Sequence, residues 1–129
     1  MEKVRVGIVG AGFAANYHVE CLERIYGVEV EIAGVTSRRE ESRRQFGESR
    51  NIRVFDSIED MLPHIDLLDI CSSHYAHEEG MLAAAHAGKG MICEKPLTGY
   101  FGPESADEEY RGDKAPKGPM LEDVIARPQ

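Results

Sequence analysis

Residues 4–21 read Val-Arg-Val-Gly-Ile-Val-Gly-Ala-Gly-Phe-Ala-Ala-Asn-Tyr-His-Val-Glu-Cys, and no other stretch restricts the possible folds as tightly. An apolar, β-branched run (Val4, Val6, Ile8, Val9) meets Gly10-Ala11-Gly12-Phe13-Ala14-Ala15, and a helix-compatible segment follows at once. This is strand, tight turn and helix without a linker. The spacing is G-x-G-x-x-A: Gly10 permits the turn, Gly12 removes a Cβ from the path of an approaching pyrophosphate, and Ala15 lets the helix pack closely on the strand. Unpartnered N–H groups in the first helical turn, Phe13 and Ala14 among them, face the same point, where the helix dipole favours negative charge. A ligand-free structural turn is the competing reading; the clean strand before and helix after favour dinucleotide binding.

A chain of 129 residues is one domain by size and buries roughly two-thirds of its unfolded surface. No apolar run is long enough to span a bilayer, and the opening Met-Glu-Lys-Val lacks a secretion signal, so the expected location is cytoplasmic. A formal net charge of −8 argues against nonspecific binding to nucleic acid or to an anionic membrane surface. Cys21, Cys71 and Cys93 are an odd set without metal-type spacing, which predicts reduced, mostly buried thiols and neither a disulfide nor a metal site.

Helical spacing of Ala15, Val19, Leu22 and Ile25 predicts a first helix over residues 14–25, with Gly27 as its stop. His18 and Cys21 lie on it and read as structural. Residues 28–35 alternate and then turn apolar, as a strand does on entering a buried parallel sheet. At the tip of this strand a fold that selects NAD places Asp or Glu, whereas the chain reads Thr36-Ser37-Arg38-Arg39. A hydroxyl and two guanidinium groups suit a 2′-phosphate, so NADP is favoured over NAD. A second reading, not exclusive of the first, has Ser37 capping the next helix through Ser37-x-x-Glu40, with Arg38 and Arg39 in its solvated first turn.

Residues 40–46 predict a short charged helix stopped by Gly47, and residues 52–55 a short third strand. Ser57 reads as the N-cap of a small helix ended near Pro63. Residues 65–72 form a buried strand that runs through Ser72, Ser73, His74, Tyr75, Ala76 and His77 into a helix over 78–87, closed by Gly88. A last strand over 90–93 precedes Glu94-Lys95-Pro96-Leu97.

Regular alternation with short connections specifies an α/β fold: a Rossmann-type, doubly wound parallel sheet of about five strands in order 3-2-1-4-5, covered on both faces as three αβα layers. Ligands in such sheets lie beyond the carboxyl ends of the strands, so residues 10–15, 36–39, 72–77 and 94–96 should converge on one cleft. The folded domain covers residues 1–98. Residues 99–129, broken by Gly and Pro and rich in charge, read as a poorly ordered polar tail with a helical pattern only over 120–126.

The opening turn together with Glu94-Lys95-Pro96 resembles the N-terminal half of the glucose–fructose oxidoreductase, inositol dehydrogenase and MocA family, over residues 4–97. The resemblance implies pyrophosphate on Gly10 to Ala15, the nicotinamide ribose along Ser72, Ser73, His74 and His77, and Lys95 beside both nicotinamide and the substrate hydroxyl. It also implies a cis Lys95–Pro96 bond. Where the family commonly has Thr-Pro-Asn, this chain has Ser72-Ser73-His74, while His77 matches a frequent histidine. An ammonium beside a reacting oxygen stabilises negative charge there, and Glu94 orients or balances Lys95. Pro96 pushes Lys95 into an extended conformation.

Family enzymes are longer, and their second domain, an open, mostly antiparallel sheet, carries an Asp-x-x-x-His pair; here no histidine follows His86. The expectation is therefore a cofactor-binding piece of an NAD(P)-dependent oxidoreductase acting on a small molecule such as a sugar or polyol. By itself it should be inactive and a monomer or weak dimer, whereas whole family members usually form homo-oligomers through the second sheet. The alternative is a stand-alone module that senses CoA or NAD, which has no need of a lysine at the nicotinamide end.

Overall fold

The central strand, β1 (Lys3–Val9), alternates its side chains between two buried surfaces, Val6 and Ile8 toward one and Val9 toward the other. The computed structural model describes residues 1–99, 102, 103, 114 and 116–126. Beside β1 lie β2 (Glu29–Thr36) and β3 (Leu67–Ile70), with β4 (Gly90–Cys93) beyond, in the order β2-β1-β3-β4 and parallel throughout. On the first face α1 (Phe13–Leu22) and α2 (Glu40–Arg50) bury Ala15, Val19, Leu22 and Phe46 against Val6, Ile8 and Val35. On the other, α3 (Ile58–Met61) and α4 (His77–His86) bury Ile58, Met61 and Ala84 against Val9, Leu68 and Ile70. This is the expected three-layer Rossmann arrangement.

Several boundaries differ from expectation. The third strand over residues 52–55 is in its expected place beside β2 but is reduced to one bridge, Val35 with Val54, held by two backbone hydrogen bonds of 2.9 Å. Ile52 and Phe55 enter the two opposite cores, as the alternation of a strand between two faces requires. Helix α1 ends at Leu22, before Ile25, which is exposed. Helix α2 runs past Gly47 and stops at Asn51, whose φ of 54° is left-handed. Gly47 is buried, and a Cβ there would strike the Val54 side chain and lie 2.8 Å from the Ile52 carbonyl oxygen; close packing, not chain reversal, requires glycine at this point.

Ser57 caps α3 as expected, accepting from Asp60 N at 3.0 Å. Ser37 does not cap α2: Arg39 is the N-cap residue, without a side-chain cap, and Ser37 Oγ donates to the Arg39 carbonyl at 3.2 Å. The thiols are free, but only Cys71 is buried; Cys93 is half-buried and Cys21 exposed, because it falls on the solvent side of α1. Most of the expected polar tail lies outside the described residues; within it α5 (Lys117–Ala126) extends the expected helical pattern and buries none of its residues. Among the described residues no helix is long and apolar enough to cross a membrane.

Candidate functional site

A cleft of about 780 Å³ opens over the carboxyl ends of β1, β2 and β3, where the opening turn, the tip of β2 and the loop after β3 meet. Gly10 adopts φ +116°, and a Cβ on it would come within 2.7 Å of the Cys71 carbonyl oxygen, so the turn closes against the neighbouring strand end only as glycine. Its N–H donates to the Thr36 carbonyl at 2.8 Å, which stitches the turn to β2. Gly12 is the opposite case: a Cβ there would meet nothing within 4 Å. Ala15 is fully buried under the turn, as close helix-to-strand packing requires.

Helix α1 starts at Phe13 with no side-chain cap and no acidic residue in its first turn. Its leading N–H groups therefore have no internal acceptor and sit at the positive end of the helix dipole. Thr36, Ser37, Arg38 and Arg39 line the same cleft, with Ser72 and Ser73 across from them. Arg38 extends to the loop after β3, donating from Nη1 to Tyr75 Oη at 2.9 Å and passing over the Tyr75 ring at 5.4 Å. Ser72, on the cleft wall, has a buried Oγ with no hydrogen-bond partner among the described residues. Asp56, Glu59 and Glu79 give the rim a counterbalancing negative charge.

Phe13, Ala14, Ala15, His74, His77, Glu94, Lys95 and Pro96 lie outside the lining of this cleft. Phe13 is exposed and stacks on Tyr17 at 6.4 Å. Of the four loops expected to share one cleft, the fourth, residues 94–96, is set aside because it follows the edge strand β4, one strand beyond β3. His77 ties it back. Its fully buried ring lies 2.7 Å from the Pro96 carbonyl oxygen through Nδ1 and 3.0 Å from that of Ser72 through Nε2, joining the loop after β3 to the loop after β4. His74 packs edge-on against this ring at 5.8 Å. The Lys95–Pro96 bond is cis, as the resemblance implied, and Lys95 is exposed.

Glu94 points inward. Its Oε1 lies 2.7 Å from His18 Nε2, and His18 Nδ1 lies 2.9 Å from both carboxylate oxygens of Asp69. Burial works against charge on His18, but its hydrogen bonds to Asp69 and Glu94 outweigh that and raise its pKa above the ordinary 6.5. The bond to His18 in turn lowers the Glu94 pKa, with burial opposing. Cys71 donates to Asp69 Oδ1 at 3.4 Å, and burial, with Asp69 beside it, pushes its thiol well above the usual range. Its sulfur, Asp69 and His18 offer ligand atoms within 4.8 Å of one another.

Neither His18 nor Asp69 is among the expected site residues. Asp69 had a legible sign, a carboxylate inside the apolar run Leu67-Leu68-Asp69-Ile70, because a buried charge demands a partner. Nothing local marked His18 as that partner.

The sequence pattern of an oxidoreductase family with an NAD-binding Rossmann fold, GFO_IDH_MocA, matches residues 4–110. The chain belongs to the GFO_IDH_MocA family. Inositol 2-dehydrogenase from Cereibacter sphaeroides is 33% identical to it over 95 residues, covering 73% of this chain and 28% of that protein. The Synechocystis sp. PCC 6803 biliverdin reductase, solved with biliverdin and NADP+, superposes with a TM-score of 0.65 at 30% identity, over 74% of this chain and 30% of that one. An NAD-binding protein from Listeria innocua gives 0.67 at 30% identity, over 75% and 28%. The chain thus spans under a third of the length of each of these GFO_IDH_MocA relatives and similar structures. Its cleft suits the NAD(P) of the family: an uncapped helix start, open space at Gly12, a guanidinium pair at the β2 tip and, among the described residues, an unpartnered buried hydroxyl at Ser72.

Proposed function

We propose that this chain is the cofactor-binding part of an NAD(P)-dependent oxidoreductase that moves a hydride between nicotinamide and a carbon bearing a hydroxyl or carbonyl, on a sugar, polyol or related small molecule. The observation that carries this reading is the meeting of the open Gly12 turn, Arg38 and Arg39, and the Ser72 hydroxyl in one cleft, with the Lys95 loop fastened to that cleft by His77. When bound, the nicotinamide ring supplies or accepts the hydride. The first turn of α1 receives the diphosphate on its N–H groups. Arg38 and Arg39, in place of a carboxylate, receive the 2′-phosphate, so NADP is the preferred cofactor. Lys95 holds its ammonium toward the reacting oxygen and stabilises the charge that develops there.

The chain, whose match covers 28% of the inositol 2-dehydrogenase, binds cofactor but turns nothing over alone. Proton transfer and substrate choice come from residues outside it, as does assembly into homo-oligomers; nucleic acids and membranes are not its partners. Calorimetric titration with NADPH and with NADH tests the reading. Binding of NADPH ahead of NADH is expected, and no heat from either at millimolar concentration would overturn it.

A further inference from the structure

His18 is the joint between the middle of α1 and the ends of β3 and β4. Its ring nitrogens face carboxylates from two different loci: Asp69 within β3, nearly fully buried, and Glu94 immediately after β4. The Glu94 N–H also donates to the Ile70 carbonyl at 3.1 Å, so the residue before Lys95 is held by both its backbone and its side chain. A neutral imidazole carries one N–H and could donate to only one of these carboxylates; the other nitrogen would point a lone pair at an oxygen lone pair at hydrogen-bond distance. Only the protonated ring donates on both sides.

We propose that His18 is a positioning residue for Lys95: an imidazolium clamp that ties Asp69 to Glu94 and thereby sets the attitude of the Glu94-Lys95-Pro96 turn relative to the Gly10–Gly12 turn at the head of the same helix. The clamp stands on geometry alone, while its use toward Lys95 rests on the function proposed above. Loss of one proton leaves a single N–H, which stays with the nearly fully buried Asp69 because the partly exposed Glu94 can turn to water, and the turn loosens. Alkaline pH therefore releases Lys95 and neutral pH holds it.

The groups around the ring are few. Asp69 and the protonated Cys71 thiol face it from the end of β3; Glu94, with Cys93 and Lys95 adjacent in the chain, comes from the end of β4. On its own helix the neighbour is Tyr17, edge-on at 6.4 Å. Both carboxylates stabilise the cation, and burial is the one opposing influence.

The test uses the 129-residue chain labelled with nitrogen-15, without cofactor, so that a failure of dinucleotide binding leaves the readout intact. Imidazole nitrogen shifts and the Lys95 and Leu97 backbone amide shifts are followed by NMR from about pH 5 to about pH 9, the window that brackets histidine titration. Both His18 nitrogens are expected to be protonated at neutral pH, with a midpoint above 6.5 that E94Q lowers. The two amides should titrate with that same midpoint and lose the transition in H18Q, a loss that a merely space-filling ring would not cause. Glu94 is partly exposed, so E94Q keeps the test open if H18Q does not fold. A neutral His18 at pH 7, a midpoint that E94Q leaves in place, or Lys95 and Leu97 amides indifferent to it would overturn the proposal.

Discussion

Arg38 spans the mouth of the cleft to reach Tyr75, joining the tip of β2 to the loop after β3 through a 2.9 Å hydrogen bond and a cation laid over the ring. This holds a guanidinium at the edge of a cleft that Arg39 also lines, together with the carboxylates of Asp56, Glu59 and Glu79. The double variant R38A/R39A is expected to weaken NADPH by about tenfold or more, the loss of one or two charge-assisted hydrogen bonds, and NADH by far less. Calorimetry with both cofactors checks it; equal losses would remove the 2′-phosphate role.

The two glycines of the opening turn should fail differently. G10A puts a Cβ 2.7 Å from a backbone oxygen at φ +116°, and is expected to cost about 1–3 kcal/mol of stability, read as a lower urea midpoint. G12A adds its methyl to open space, so stability should stay within about 0.5 kcal/mol while cofactor affinity drops. If G12A bound NADPH like the parent chain, diphosphate would not approach at that turn.

His77 is a staple rather than a wall of the cleft. H77A leaves the Ser72 and Pro96 carbonyls without this partner and opens a void in the fold, with an expected cost of about 2–5 kcal/mol by chemical denaturation. Faster amide exchange at Leu97 should accompany it, since Leu97 follows the carbonyl that the ring holds.

At low pH the sensitive pair is Arg5 with Asp66. The Arg5 side chain, and then its backbone N–H, hold the Asp66 carboxyl down from 3.8 to about 2, with burial opposing. A lowered carboxylate pKa stabilises the fold above 3.8, and that contribution disappears as pH falls through about 2. The urea midpoint should decline over this interval and do so less in D66N. His18 has the opposite sign: its raised pKa stabilises the fold below 6.5, and the gain is lost as pH rises through its folded value.

What the sequence by itself determined is everything set by short-range pattern. Alternation of Val6 and Ile8 against Val9, the G-x-G-x-x-A spacing and the repeated strand–helix order specify parallel strands in layers and a turn open to phosphate, because strand period, left-handed φ and right-handed crossover are local or nearly local constraints. Tertiary structure decided the rest. Whether Gly47 ends a helix or merely lets Val54 approach, whether residues 52–55 pair fully or touch β2 once, and whether Lys95 lines the cleft or stands beside it depend on packing between separate elements. The same holds for His18, whose partners lie 51 and 76 residues away. A buried carboxylate announces that it needs a partner, but register and the direction in which helix α1 crosses the sheet choose which side chain arrives.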